Sequence, residues 1–490
     1  MLMKISNIEK GKNGKTYMVV DGKPFLYNAV QSMYPKCKDY TEYIKKAAEA
    51  NFTVFSFWLY WRWLEPQKGV YDFTEIDKVI DVAVENDIRL DIIWAGTNFC
   101  DHLDHRFAPK WVFCDSSFYL KDSNGIPYIG EGYNDVCPES PVADPCNKEL
   151  LKIEQEMFES LLSHLKEYDK THRVIAIQIE NEINMQGFWG GKEKVLSYVN
   201  ELGRTIKESD YSVVTRINVN DYEMDEAIDK LEFIDGQGLD LYTDDLDVVR
   251  CCMRDERCTK FKHVAENDVP NNSTALLVTT LANGGFYNIY RIDDDLKYKK
   301  PGVYDSNLDI TEMTLRLRRL NQSLNAAADI VTTAAPNQIL EFNTENTNFP
   351  IRNYSSMKYI NGNFIGMQNG GYISCGMAIF HDGYYYCIAD DFAEFFVYSR
   401  VLECETGEFI GTEWKTDTVL KVFQKKIKWD RSVWCAKVTP GKVLRIKIAG
   451  HTNEMLDYRE KTRELWNDEK RMLCGEKEPW YDKCEKTNTV

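Results

Sequence analysis

The sequence predicts an α/β chain: a (β/α)8 barrel followed by an antiparallel β-sandwich. Two observations carry this prediction. Short β-branched and aromatic runs alternate with amphipathic helical stretches from about residue 20 to residue 330, the expectation for eight β–α units over roughly 250–300 residues. Beyond Ile330 the helical periodicity stops, and residues 338–449 become rich in Tyr, Phe, Val and Ile with turns at Gly370-Gly371, Asp382-Gly383 and Pro440-Gly441, the pattern of a sandwich. The division reads as a barrel with an N-terminal hairpin over 1–330, a β-domain over 331–450, and a charged tail over 451–490, helical across 454–473.

Asp21-Gly22 marks a hairpin between residues 17–20 and 25–31, because Asp-Gly suits the left-handed turn that joins twisted strands. Residues 25–31 form the first barrel strand, and 40–50 a helix with Ile44, Ala47 and Ala48 on one face. The second strand is 53–61, followed by a helix over 74–86 with Ile76, Val79, Ile80 and Ala83 at helical spacing. Residues 89–95 are the third strand, 149–168 a long amphipathic helix, 174–182 the fourth strand and 191–209 a helix. The fifth and sixth strands are 212–219 and 233–242, with helices at 223–231 and 246–257.

The seventh strand has two candidates. Residues 275–282 look like a strand but would end without a carboxylate. The better reading makes 261–266 the strand. Pro270 and Asn271-Asn272-Ser273 then break and cap, and Leu276, Leu277, Thr280 and Leu281 share a helix face that ends at Asn283-Gly284. Residues 286–292 become the eighth strand and 311–328 the closing helix.

The chain has 490 residues and a net charge of −17, with 14 Cys, 11 Trp, 28 Tyr and 23 Phe. So acidic a surface repels nucleic-acid phosphates. The N-terminal fifteen residues are polar with no apolar signal region, and no apolar run reaches transmembrane length. The cysteines form no C-x-x-C pair, so reduced thiols and a cytoplasmic location are expected, with no membrane partner. A homo-oligomer is left open.

Chemistry is expected where strands end, since the C-terminal rim of a (β/α)8 barrel holds the active site. The run Ile177-Gln178-Ile179-Glu180-Asn181-Glu182 closes the fourth strand with residues that strands disfavour, and Glu266 closes the seventh. Two carboxyls facing each other across a barrel mouth supply the pair that glycoside hydrolysis needs.

Several motifs are similar to clan A glycoside hydrolases, close in pattern to families 35 and 42, the β-galactosidase families. Ile177 to Glu182 resembles the clan's acid/base motif. Glu65-Pro66 followed by Gly69-Val70-Tyr71-Asp72-Phe73 resembles the second-strand signature. Val20-Asp21-Gly22-Lys23-Pro24-Phe25, Gln31-Ser32-Met33-Tyr34-Pro35 and Gly238-Leu239-Asp240-Leu241-Tyr242 add to it. The chain departs from the families in lacking a Thr-Glu-x-x-x-Gly-Trp run, with His263-Val264-Ala265-Glu266-Asn267-Asp268 in its place, which makes it a divergent relative.

The resemblance implies a retaining β-glycosidase with Glu182 as acid/base and Glu266 as nucleophile. It implies that Asn181 binds the sugar 2-hydroxyl and that Tyr242 supports Glu266. β-Galactosidase comes first, then β-mannosidase or a β-glucanase, acting on an oligosaccharide or glycoside with no cofactor. A barrel that binds carbohydrate without catalysis is the rival from another class. Trp58, Trp61, Trp94 and Tyr34 read equally as sugar platforms or core, with Tyr34 and Trp61 nearest their strand ends, and Asn98 as a hydroxyl ligand or a turn residue. The ligand-type residues of Cys100-Asp101-His102-Leu103-Asp104-His105 have no fixed metal spacing, so no metal is expected and they read as polar loop.

Overall fold

The first barrel strand is shorter than its apolar run. The N-terminal segments Ser6–Lys10, Thr16–Val20 and Lys23–Phe25 pair into a three-stranded antiparallel sheet, so the expected strand over 25–31 divides at Leu26-Tyr27. These coordinates come from a computed structural model that describes residues 4–449 except 12–13, 33–38, 98–106, 131–139, 185–189, 270–271, 295, 297–298, 344–355, 361–362, 369–374, 392, 398–399 and 427–431. The predicted tail helix lies outside the described residues, as do Tyr34, Asn98 and the run 100–105.

Eight parallel strands close the barrel: β1 (Asn28–Gln31), β2 (Val54–Tyr60), β3 (Arg89–Ala95), β4 (Val174–Ile179), β5 (Val214–Val219), β6 (Gly236–Asp240), β7 (Phe261–Glu266) and β8 (Phe286–Tyr290). Closure is completed by β8 pairing with β1 from Tyr287 against Asn28 to Tyr290 against Gln31. The principal helices between them are α1 (Thr41–Glu49), α2 (Thr74–Glu85), α3 (Lys148–Tyr168), α4 (Lys192–Lys207), the single turn α5 (Glu226–Asp229), α6 (Leu246–Arg254), α7 (Ser273–Ala282) and α8 (Glu312–Ala326).

The two readings of 261–282 are thereby resolved, with β7 carrying Glu266 and α7 replacing the rival strand. All ten residues of α7 are buried. A helix enclosed on every side has no charged face, and this one carries only apolar residues, Ser and Thr. Its outer cover is the β-domain. There, a six-stranded sheet includes Ile339–Asn343, Cys375–His381, Tyr384–Ala389, Val443–Ile448, Val401–Ile410 and Glu413–Val419, and a five-stranded sheet forms the second layer. Alternation along Cys375–His381 sends Met377 and Ile379 into the core that includes the barrel helices. It sends Ala378 and Phe380 into a separate core with Phe395, Val438 and Leu444, as period-two packing requires.

One buried ion pair pins the six-stranded sheet to the barrel. Asp390 is wholly buried. Its Oδ2 accepts from Thr274 Oγ1 at 2.8 Å on α7 and from Arg316 Nη2 at 2.6 Å on α8, and its Oδ1 accepts from the Cys375 amide at 2.9 Å. Removing one partner of such a pair leaves the other charge stranded in a dry site, at a cost of roughly 3–5 kcal/mol. Asp390→Ala is therefore expected to lower the unfolding free energy from denaturant titration by that amount, whereas Asp417→Ala, which removes an exposed partner of Lys442, should change it by less than about 1 kcal/mol.

Candidate active site

The N-terminal end of the barrel interior is filled by an apolar plug. Ala29, Val54, Ala176, Val214, Phe261 and Phe286 form that plug with Met18 and Tyr27. The next layer is polar, where (β/α)8 barrels ordinarily place bulky branched residues. Arg216 on β5 and Asp91 on β3 are 1% and 0% exposed and meet at 2.8 and 3.0 Å. Tyr27 and Ser56 also donate to Asp91, and Arg216 donates to Gln178 on β4. Burial opposes the charge of Arg216, but Asp91 and Tyr27 hold its guanidinium ionised. His263 on β7 is pushed well down by burial and by Arg216, so its imidazole is neutral.

A third layer carries the rim. Gln178 Nε2 donates to Asn181 Oδ1 at 2.8 Å and to Asn218 Oδ1 at 2.9 Å. Asn218 in turn accepts from the Glu182 amide at 2.9 Å and donates to Asn181 Oδ1 at 3.0 Å and to both oxygens of Asp240 at 3.1 and 3.0 Å. Asn220 Nδ2 donates to Glu182 Oε1 at 2.7 Å, and Asn184 holds Asn220 through two further bonds.

Strand β4 stops at Ile179, short of the expected 182, and the reason is conformational. Glu180 and Glu182 adopt positive φ of 58° and 46°, a region that costs a non-glycine residue about 1–3 kcal/mol. Such strain persists where surrounding bonds enforce it, and both residues are held. Glu182 points into the mouth, toward Asn220 and Asp240. Glu180 turns away, accepting from the Thr97 amide at 2.7 Å and its hydroxyl at 3.1 Å.

Across the mouth, Gln31 Nε2 donates to Glu266 Oε1 at 3.0 Å, and the Tyr242 hydroxyl donates to Glu266 Oε2. Burial, then Glu266, push the Tyr242 phenol well up, so it remains a donor. The next residue, Asn267, is clamped by Tyr287, whose hydroxyl donates to its side chain at 3.0 Å, and by the Tyr290 amide, which donates to its carbonyl at 2.9 Å. Asp240 lies in register with Glu266 on the neighbouring strand and is influenced by Glu266 and Glu182 alike. The structure thus brings Asn181, Glu182, Tyr242 and Glu266 to one end of the barrel.

Two expected sugar platforms require correction. Trp61 and Trp94 are both fully buried and face the helix layer. Trp61 donates to Glu65 at 2.8 Å and packs against Trp111, while Trp94 donates to Glu154 on α3 at 2.8 Å and stacks on Phe158. Parity explains the error: along β2 the residues in phase with Ser56 face inward, which selects Trp58 and Tyr60 and turns Trp61 out. Trp58 joins Tyr60, Ile93 and Phe107 in a small cluster inside the barrel at this end. Asp240, Asn218, Asn220, Gln31 and Tyr290 were not identified from sequence. A period-two count upward from Arg216 reaches Asn218 and Asn220, while Gln31, Asp240 and Tyr290 end their own strands, where rim residues are sought.

Behind the rim lies a second buried pair. Glu154 accepts from Trp94 and, at 2.6 Å, from Tyr198. A Cβ at Gly96 would sit 2.0 Å from Glu154 Oε1 and 2.9 Å from Glu180 Oε1, so both carboxyls crowd the space that only glycine leaves open. Burial, then Glu180, push Glu154 up to about 8.

Residues 30–220, less than half of the chain, match the glycoside hydrolase 42 family model, described as beta-galactosidase. The stretch includes Asn181 and Glu182 and stops before Glu266. The similarity to clan A glycoside hydrolases drawn from the motifs thus has an independent counterpart in the first five strands. No curated protein matches the chain. Among solved structures, the exo-beta-1,4-mannosidase Op5Man5 from Opitutaceae bacterium strain TAV5 aligns with a TM-score of 0.45 and 12% identity, covering 64% of this chain and 62% of that one. The alignment therefore spans less than two thirds of that protein. No helix among the described residues is long and apolar enough to cross a membrane.

The Glu154 shift has a consequence for stability. A carboxyl whose folded pKa is raised contributes most below the ordinary glutamate range, and that contribution is lost as pH climbs toward the folded value. Glu154→Gln has no such titration. The melting temperature of wild type relative to this variant should therefore fall between pH 5 and pH 8, by on the order of several °C, as followed by calorimetry.

Proposed function

We propose that the protein is a retaining β-glycosidase that hydrolyses terminal β-linked sugars, with β-galactosides as the favoured substrates. The observation that carries this reading is the placement of Glu182 and Glu266 at the ends of β4 and β7 with Asp240 in electrostatic contact with both. In this mechanism Glu266 attacks the anomeric carbon while Glu182 protonates the leaving oxygen. Water, deprotonated by Glu182, then releases the sugar. A retaining enzyme places its two carboxyls roughly 5 Å apart.

The differing surroundings of the two glutamates support the division of roles. Glu266 accepts from Gln31 and Tyr242, and donors favour the ionised form that a nucleophile needs. Glu182 lies beside a second acid, Asp240, and adjacent buried carboxyls cannot all ionise, so protons are retained on this side of the mouth. Asn181, its Oδ1 engaged by Gln178 and Asn218, has its amide oriented for the 2-hydroxyl. The family match favours galactosides, and β-mannosides or β-glucans are the alternatives within the same chemistry. Loss of catalysis with retained carbohydrate binding is the reading from another class.

A panel of aryl β-glycosides tests the proposal. Turnover should be greatest on the galactoside, and inactivity of folded protein on every member would sink the small-substrate version. Glu182→Ala and Glu266→Ala should each reduce kcat by at least about 10³-fold. Azide should restore the Glu266 variant with an inverted glycosyl azide as product. A retained-configuration product from that variant would remove Glu266 from the nucleophile role.

A further inference from the structure

We propose that Asp240 is a third working carboxyl of this site: a neutral acid that donates a hydrogen bond to Glu182 and so positions and stabilises the proton donor. The inference rests on the glycosidase reading for its catalytic meaning and on geometry for the contact itself. Asp240 is completely buried at the end of β6. Both its oxygens face the Asn218 amide, at 3.1 and 3.0 Å, and the Asn218 carbonyl oxygen receives the Glu182 backbone N–H at 2.9 Å. Asn218 therefore ties the two acids into one unit, bonded to the Asp240 carboxyl on one side and to the Glu182 backbone on the other, with the Glu182 carboxyl close enough to act on Asp240.

The charges facing Asp240 come from four strands. Glu182 follows β4, Arg216 lies on β5, Tyr242 follows β6, and Glu266 ends β7 in register with Asp240. Burial is the largest influence and pushes the Asp240 carboxyl well up, followed by Glu266 and Glu182. Three carboxyls this close cannot all ionise. Glu266 has the phenol of Tyr242 and the amide of Gln31 to hold its charge, so the proton resides on the Asp240 side.

The proton balance is simple. In the first step the Glu182 proton passes to the glycosidic oxygen, the C–O bond breaks with its electron pair leaving on that oxygen, and Glu182 becomes a carboxylate. Asp240 keeps its own proton throughout. Its hydrogen bond changes from neutral to charge-assisted as Glu182 ionises, and charge-assisted bonds are roughly twice as strong. An interaction that strengthens along the reaction lowers the barrier more than it tightens binding.

The test compares Asp240→Asn and Asp240→Ala in full-length protein on the best substrate of the panel. Asn preserves a neutral donor, so its kcat should fall by less than about tenfold, with the alkaline limb of kcat/KM displaced by under about 0.3 pH unit. Ala removes the donor and should reduce kcat by roughly 10- to 100-fold with KM little changed. An Asn variant as impaired as Ala, or an alkaline limb moved down by about one unit or more, would mean that Asp240 is ionised and would overturn the proposal. An infrared difference spectrum of wild type minus Asp240→Asn at pH 7 should show a protonated carboxyl band, and Glu182→Gln should shift it. Absence of the band, or a band indifferent to Glu182→Gln, refutes the assignment. If the wild type turns over no β-glycoside, the glycosidase reading falls, and the infrared result still decides whether Asp240 holds its proton against Glu182.

Discussion

An ion pair at the centre of the barrel, Arg216 with Asp91, is the constraint to which the site geometry answers. Two charges out of water are tolerated only when their remaining hydrogen-bonding positions are filled. Tyr27 and Ser56 take up Asp91, and Gln178 takes up Arg216. Gln178, with its carbonyl engaged below, presents its amide upward to Asn181 and Asn218. Satisfaction of the floor thus fixes the orientation of the rim. The backbone N–H of Glu182 and the carboxyl of Asp240 are held by a chain of amides that begins at a buried guanidinium. A cooperative polar network of this kind rigidifies when complete and is costly when broken.

The network also explains why the barrel carries its core unevenly. Apolar packing in the interior is limited to the plug beneath His263 and the small cluster around Trp58, and most apolar burial lies between strands and helices. The outer layer extends without interruption into the β-domain through α7 and α8. Asp390 and Arg316 form the corresponding polar anchor there. Each polar anchor is enclosed by apolar neighbours, so water does not compete for it.

Legibility from sequence followed the range of the interactions involved. The order of strands and helices and the end of β7 were legible because local periodicity and capping determine them. The end of β4 was displaced by three residues, since propensity does not reveal that Glu180 and Glu182 are held in left-handed conformations by Thr97, Asn218 and Asn220. Trp61 stands close to its strand end, but the side a residue faces decides its surroundings, and both Trp61 and Trp94 face the helices. Asp240 lies within the sixth-strand motif, but the sequence gives it no role, because only the fold brings it beside Glu182 and Glu266. Glu154 was invisible for a related reason. Within an amphipathic helix it reads as solvated, and only the fold buries it against Trp94 and Tyr198.

The left-handed pair has a broader consequence. In an extended chain residues 180 and 182 would lie on one side, and their acids would share one environment. The two backbone inversions send one acid outward to the helical shell and the other inward to the mouth, with Asn181 as the hinge pin between them. The turn is therefore a mechanical junction. The crowding of Glu154 and Glu180 around Gly96 joins this turn to the long helix α3. The outer shell and the mouth thus share one backbone turn, so a substitution at Gly96 or Glu154 acts on the same turn that sets Glu182.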